Sequence, residues 1–412
     1  MGFNKISVIG LGYIGLPTAA IIASRGVDVI GVDVSQNAVD TINKGEIHIV
    51  EPDLDIVVRS VVQTGKLKAT TVPEAADAFM IAVPTPFREN YQPDLSYIKA
   101  AANAIAPVLE KGNLVVLEST SPVGATEKLA GWLAEARPDL NFPLNSNHAI
   151  DINMAYCPER VLPGYVLQEL VSNDRVIGGL SELCASKAVE LYEIFIKGDC
   201  LRTNARTAEM AKLTENSFRD VNIAFANELS IICDTLQINV WELIKLSNRH
   251  PRVNILNPGP GVGGHCIAVD PWFIVSSDPD NAKIIRTARE VNDSKPHYVV
   301  EKVVTASDRF KAPVVACFGL AFKADIDDLR ESPAVEIVEQ LASKNIHQLL
   351  VVEPNVKQLP SSLDGQVEKV EISQALEKAD IVLLLVDHKQ FKQIPAEKLH
   401  GCVTIDTRGI WT

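Results

Sequence analysis

Residues 6–33 constrain the fold of this chain more than any other stretch. A short apolar run, Ile6-Ser7-Val8-Ile9, leads into Gly10-Leu11-Gly12-Tyr13-Ile14-Gly15. Pro17 follows, then an apolar segment over 18–24 that predicts a helix. A second apolar run over 27–32 ends on Asp33, 18 residues beyond Gly15. Strand, GxGxxG, helix, strand and acid is the arrangement that binds a dinucleotide. Its glycines permit a tight turn and close backbone approach, and the pyrophosphate rests on the helix N-terminus. Asp33 suits the adenosine ribose 2′-hydroxyl and repels a 2′-phosphate. No arginine follows it closely, so NAD is expected rather than NADP.

The same alternation continues. Apolar runs over 79–83, 114–117 and 154–156 end in Pro84-Thr85-Pro86, Glu118-Ser119-Thr120-Ser121-Pro122 and Cys157-Pro158-Glu159-Arg160. Helices are expected around 94–110, 125–136 and 181–197. Strands alternating with helices predict a parallel, doubly wound sheet. Ligands bind at the carboxyl ends of such strands, which sets Thr85, Thr120, Thr126 and Glu159 near one. Helix capping is an equal reading of any single threonine.

Composition excludes several classes. The net charge of −13 and a pI near 5.2 argue against general nucleic-acid or anionic-membrane binding. A local arginine cluster can still hold an anionic small substrate. Seven cysteines without a CxxC pair fit neither a disulfide framework nor a zinc ribbon, so reduced thiols in a cytoplasmic protein are expected. The chain enters a strand almost at once, so no signal peptide is expected, and no apolar run reaches membrane-spanning length.

Over 207–236 the pattern is helical and free of Pro and Gly. Lys212, Asn216 and Arg219 share one face at i, i+4 and i+7. Apolar neighbours on most sides predict a buried helix, with Glu209, Asp220 and Glu228 as solvated charges. Asn248-Arg249-His250-Pro251-Arg252 forms a cationic knot, read either as an exposed loop or as a grip on phosphates. Helix is expected again near 281–310. A second α/β domain follows, with strands at 314–319, 349–352, 381–386 and 403–406 and a helix near 334–343. Lys323 and Arg330 stand where such a domain holds an anion. The expected fold is α/β: two Rossmann-like doubly wound domains joined by a long central helix, their ligand sites facing across a cleft. The expected bounds are 1–200, 201–300 and 301–412.

Residues 261–272, GVGGHCIAVDPW, place Cys266 in a glycine-rich turn with His265 and Asp270 close in sequence. Backbone amides in such a turn can face a developing negative charge, and a cysteine held there can act as a covalent nucleophile. An inert buried cysteine is the plainer reading of this stretch alone. A one-step alcohol or hydroxyacid dehydrogenase with a structural Cys266 is one rival. A zinc site of His265, Cys266 and Asp270 is another, weakened by the lack of ligand-spaced cysteine pairs.

Taken together, the motifs resemble those of the nucleotide-sugar 6-dehydrogenases, the UDP-glucose/GDP-mannose dehydrogenase family. The resemblance covers essentially the whole chain. It rests on the GxGYxGLP stretch over 10–17, the ESTxxxG motif over 118–124, and Lys212 with Asn216. GGxCxxxD over 263–270, Phe322-Lys323 and RESP over 330–333 complete it. GGHCIAVDPWF and PERVLPG resemble the branch that acts on UDP-N-acetyl-D-mannosamine, with UDP-N-acetylglucosamine and UDP-glucose as alternatives. His265 stands where other branches carry serine, and Val269 where they carry lysine. His265 is therefore not expected to be an essential base, and Val269 is expected to leave a less polar sugar wall.

The resemblance implies a four-electron oxidation of a sugar C6 alcohol to a carboxylate by two NAD⁺, in the service of an acidic surface polysaccharide. It implies Cys266 as nucleophile. Lys212, or a water held by Asp270, is the implied base, and Lys212 and Asn216 steady oxyanions. Glu159 orients water, and Thr120 lies in the catalytic set. Arg160, Val161, Lys212, Asn216, Arg219, His250, Arg252, Gly263, Phe322 and Lys323 match positions that hold the UDP-sugar. Gly10, Gly12, Tyr13, Ile14, Gly15, Asp33, Thr85, Thr126 and Arg408 match positions at NAD. No metal is implied. The long helix is implied to form a homodimer, with Arg252 reaching the partner's site.

Overall fold

The computed structural model describes residues 2–88, 91–144, 149–162, 164–264, 266–344 and 346–411. They fall into two compact units, Met1–Thr214 and Glu215–Thr412, divided inside one long helix. The first unit runs β1 (Lys5–Ile9), α1 (Gly15–Ser24), β2 (Asp28–Val32), α2 (Gln36–Asn43), α3 (Leu54–Gln63), β3 (Leu67–Thr70) and β4 (Ala78–Ile81). It continues with α4 (Ser96–Ile105), β5 (Leu114–Leu117), α5 (Ala125–Ala136), β6 (Asn153–Tyr156), α6 (Val166–Ser172), β7 (Arg175–Gly179), α7 (Glu182–Tyr192) and β8 (Cys200–Asn204), then enters α8 (Ala205–Leu236).

Its eight strands lie in the order β3-β2-β1-β4-β5-β6-β7-β8. Alternate strand residues supply two apolar layers. Ile6, Val8, Met80 and Val116 pack with α1 and α3, while Ile9, Phe79, Ile81 and Val115 pack with α4 and α5. Burial on both faces is why these strands read as unbroken apolar runs. The expected doubly wound sheet is present, with one correction to its parallel sense. β7 runs antiparallel to β6, with Ala155 opposite Gly179 and Tyr156 opposite Gly178. An antiparallel neighbour needs no crossover across the sheet face. Arg175 thereby begins β7 beside Glu159. Helix α1 starts at Gly15, earlier than expected, and Pro17 sits in its first turn, where no intrahelical N–H is required.

The second unit passes from α8 through α9 (Val240–Ser247), α10 (Asp270–Ser277) and α11 (Lys283–Ser307). It then builds β9 (Val314–Phe318), α12 (Pro333–Ala342), β10 (Gln348–Val352), β11 (Glu368–Lys369), α13 (Ile372–Lys378), β12 (Ile381–Leu384), α14 (Lys389–Lys392) and β13 (Val403–Asp406). Its five strands are parallel, in the order β11-β10-β9-β12-β13.

The expectations for α8 need two corrections. The helix is not buried all round: Phe218, Phe225, Ile232 and Leu236 are 67%, 50%, 46% and 61% exposed. Glu209 and Asp220, expected in solvent, are fully buried, while Glu228 is exposed. Each buried carboxylate has donors far away in sequence. Glu209 accepts from the Gly124 and Thr126 N–H groups at 2.6 and 2.8 Å and from the Thr126 hydroxyl at 2.7 Å. Gly124 precedes α5 in a left-handed conformation and has no capping side chain, so Glu209 supplies the missing acceptor. Asp220 accepts from Arg289 at 2.6 Å and Asn292 at 2.8 Å.

Replacing Glu209 with Ala leaves three buried donors without a partner. The expected loss is about 2–4 kcal/mol of unfolding free energy by urea titration. A change near zero would contradict the capping role.

Candidate active site

The turn after β1 shows what each glycine is for. Gly10 has φ +91°, and a Cβ there would meet the Ala82 carbonyl oxygen at 2.7 Å. A Cβ on Gly15 would fall 1.8 Å from the Gly10 carbonyl oxygen. These two glycines are demanded by the protein's own packing. Gly12 differs: nothing lies within 4 Å of a Cβ built there, so its backbone is open to a ligand. Tyr13 is exposed beside it, and Ile14 is half-buried at the start of α1. Asp33, at the end of β2, accepts from the Leu11 N–H and the Ser35 N–H, both at 2.9 Å. The Thr85 hydroxyl oxygen is buried without a partner among the described residues. An open cradle, a fixed acid and an unsatisfied hydroxyl at the carboxyl end of one sheet fit a dinucleotide.

Two further residues expected at the cofactor have protein partners. Thr126 is fully buried, and its hydroxyl donates to Glu209 at 2.7 Å, which helps to fix the loop before α5. Arg408 belongs to the second unit, where its guanidinium donates to Asp387 at 2.9 and 3.1 Å.

Further along the first sheet, Thr120 is half-buried after β5. Glu159 has both oxygens engaged: one accepts from the Arg160 N–H at 2.6 Å, the other from Arg175 at 2.7 Å. Arg160 is half-buried, and Val161 packs against the apolar layer under α1.

In the second unit, Cys266 is exposed, whereas Cys157, Cys184, Cys233 and Cys317 are buried. Burial pushes the Cys317 thiol up to about 12 and the Cys157 thiol higher still. Exposure and neighbouring glycines thus single out Cys266. Its carbonyl accepts from the Val269 and Asp270 N–H groups at 3.2 and 2.9 Å, closing a turn that leads into α10. Gly264 has φ +83°, and a Cβ there would lie 2.9 Å from the Phe322 ring. A Cβ on Gly263 would meet the Glu331 carbonyl oxygen at 2.4 Å. Only glycine lets these turns pack so closely.

Asp270 is buried and accepts from the Asn216 amide at 2.5 Å. Lys212 precedes Asn216 by one helical turn and is half-buried; Arg219 follows and is exposed. His250, Arg252 and Lys323 are exposed, and Phe322 is half-buried. Arg330 is forked onto Asp328 at 2.6–3.1 Å. Val269 is buried, so it offers no open apolar wall. His265 lies outside the described residues, as does Pro163 of the PERVLPG segment.

The comparisons with known proteins follow this geometry. The NAD-binding domain of the UDP-glucose/GDP-mannose dehydrogenase family matches residues 4–196, its central domain 206–294 and its UDP-binding domain 316–412. The chain belongs to that family. It is 65% identical to an NDP-N-acetyl-D-galactosaminuronic acid dehydrogenase of Ralstonia nicotianae, over 100% of this chain and 97% of the relative. It is 66% identical to a UDP-N-acetyl-D-mannosamine dehydrogenase of Campylobacter jejuni, over 96% and 98%. Among solved structures, a UDP-D-ManNAc dehydrogenase from Pyrococcus horikoshii superposes with a TM-score of 0.88 at 39% identity, over 98% and 96%. The protein is an NAD-dependent oxidoreductase acting on a nucleotide sugar. Among the described residues, no helix is long and apolar enough to cross a membrane.

Behind Glu159 in this dehydrogenase lies a buried cluster that no local motif announces. Glu118, the first residue of the EST motif, accepts from the Tyr192 hydroxyl at 2.6 Å, and its other oxygen is buried without a partner among the described residues. Burial, then the charge of Glu159, push its carboxyl up to about 7 against the pull of Tyr192 and Arg175. Tyr192 ends α7 and Arg175 opens β7, so only the folded sheet brings them to Glu118.

The sign of the linkage is definite. The folded protein holds the Glu118 proton up to about 7, whereas the unfolded chain releases it near 4.5. That contribution to stability is full below the lower value and is lost as pH rises through the upper one. Glu118→Gln keeps an acceptor for Tyr192 and cannot ionise. Its stability relative to wild type should rise by up to about 3 kcal/mol across this interval, by urea titration at several pH values. A flat difference would contradict the protonated state.

Proposed function

We propose that this enzyme oxidises UDP-N-acetyl-D-mannosamine at C6 to UDP-N-acetyl-D-mannosaminuronate, with Cys266 as the covalent nucleophile. The observation that carries the covalent step is the exposed Cys266 thiol on the Gly263-Gly264 turn, beside a buried Asn216–Asp270 pair. A simple alcohol dehydrogenase needs no thiol; an alcohol taken to an acid does, because the aldehyde has to be trapped.

Bound NAD⁺ supplies hydride acceptance, once from the alcohol and once from the trapped aldehyde. The residues do the rest. Lys212, or a water held by Asp270, takes the O6 proton in the first oxidation. The Cys266 sulfur then adds to the aldehyde carbon as the carbonyl oxygen gains a proton, giving a thiohemiacetal. Loss of that proton and a hydride leaves a thioester on sulfur. Water attacks the thioester, the carbon–sulfur bond breaks, and thiol and carboxylate separate. Asn216, aimed by Asp270, and Lys212 are suited to steady the oxyanions. Glu159 contributes by fixing Arg160 and the start of β7, given its two protein bonds. Arg160, Arg219, Arg252 and Lys323 are the cationic candidates for the diphosphate.

The sugar rests on the relatives, since Val269 is buried. Their names point to N-acetylhexosamines of two configurations, manno and galacto. The manno reading agrees with the GGHCIAVDPWF and PERVLPG segments. An acidic product of this kind suits a surface polysaccharide. A second copy of the chain over the exposed apolar face of α8 is part of the same reading.

The test compares kcat/KM for UDP-N-acetylmannosamine, UDP-N-acetylgalactosamine, UDP-N-acetylglucosamine and UDP-glucose. UDP-N-acetylmannosamine is expected to lead by at least about tenfold, because a site matched to substrate polar groups rejects analogues that leave them unpaired. The active species is expected to sediment as a dimer. A galacto or gluco preference would overturn the sugar assignment, and an active monomer the assembly.

A further inference from the structure

The second sheet repeats the device that fixes the cofactor turn of the first, and then closes it. Asp33 ends β2 and accepts the Leu11 N–H of the turn after β1 at 2.9 Å. Glu353 follows β10 and accepts the Leu320 and Ala321 N–H groups of the turn after β9, at 2.7 and 3.1 Å. Its other oxygen accepts the Asn355 N–H at 2.9 Å. Asp33 is half-buried, whereas Glu353 is 1% exposed. What covers Glu353 is His388, itself fully buried, with Nε2 3.2 Å from the carboxylate. The acid that would reach for a ribose is used inside the protein instead.

Donors around His388 define its state. Nδ1 accepts the Asp325 N–H at 2.9 Å and faces the Asn355 amide nitrogen at 3.0 Å. A backbone N–H can only donate, so Nδ1 carries no proton and the Nε2–H points at Glu353. Burial alone would raise the Glu353 carboxyl, but the His388 bond and the backbone donors outweigh it and hold it below its ordinary value. The other charged groups facing the ring are the Asp325 carboxylate, 3.9 Å from Nδ1, and Lys389, 3.7 Å from that carboxylate.

Together the pair grips both ends of one turn. Glu353 takes its start at Leu320 and Ala321, and His388 takes its end at Asp325, which has φ +63°. Phe322 lies between, and its ring sits where a Cβ on Gly264 would be, at 2.9 Å. Gly264 lies two residues before Cys266. We propose that Glu353 and His388 are positioning residues for the oxidation: they pin the 320–325 turn and, through Phe322, set the Gly263-Gly264 backbone that presents Cys266. The inference rests on Cys266 as nucleophile and on Phe322 and Lys323 as substrate contacts.

Two variants divide the pair's contacts. His388→Gln can keep the bond to Glu353 and loses the acceptor for Asp325. His388→Asn does the reverse. Each is expected to raise KM for the UDP-sugar and to slow alkylation of Cys266 by iodoacetamide by about ten- to a hundredfold, since small displacements of reacting groups cost that much. Affinity for NAD should not change. A merely structural pair would lower the melting temperature and the folded fraction while leaving KM and the alkylation rate per folded molecule as in wild type. That result overturns the proposal. If neither variant folds, nitrogen NMR of wild-type enzyme with labelled histidine decides: an Nε2–H tautomer near neutral pH is expected, and an Nδ1–H form or an imidazolium overturns it. Failure of the functional reading would look different. Wild-type enzyme would then oxidise no UDP-sugar, while the alkylation rates would still judge the positioning role.

Discussion

A carboxylate removed from water has to be given donors, and here the donors are backbone N–H groups of the turns that matter. Glu209 binds the loop that opens α5, Asp33 the glycine turn after β1, and Glu353 the matching turn after β9. Helices α1 and α5, which follow the first two of these turns, have no side-chain cap of their own. The loops proposed to meet cofactor and substrate are therefore held from behind. Gly12, with open space around it, is the clearest case.

The cysteine turn is held differently. Its glycines are required because Phe322, Pro333 and the Glu331 carbonyl come too close for a Cβ. Packing rather than charge fixes that backbone, and the Cys266 carbonyl closes it by accepting two N–H groups. The thiol stays exposed while most other cysteines are sealed in the sheets and under the helices. Asn216 and Asp270, both buried and bonded to each other, stand one on α8 and one at the start of α10. The proposed nucleophile thus sits on a stiff loop and the polar pair on helices.

What could be read from the sequence was local in origin. The glycine turn, Asp33 and the strand–helix alternation follow from sterics and periodicity within a few dozen residues, and the structure has them. The cysteine stretch was recognisable for the same reason. What escaped reading depends on partners far apart. Glu209 and Asp220 look like solvated charges on a helix until Gly124, Thr126, Arg289 and Asn292 arrive from 69 to 85 residues away. The outer face of α8 carries Phe218 and Phe225 in a pattern that resembles a buried helix, because periodicity cannot say which apolar face the fold covers. The reversed β7 and the Glu118–Tyr192 contact arise only when the sheet closes, and family motifs could not show that the Thr126 hydroxyl is bonded to Glu209 while the backbone at Gly12 stays open.

The central claim is that one active site carries an alcohol through to an acid on a single cysteine. Counting NADH formed per UDP-sugar consumed, with the quenched product identified as aldehyde or acid, tests it most directly in wild type and in Cys266→Ala. The account predicts two NADH and only acid from the wild type, and no net acid from the variant, with NAD binding intact. One NADH per sugar with free aldehyde from the wild type, or full acid production by the variant, would contradict it.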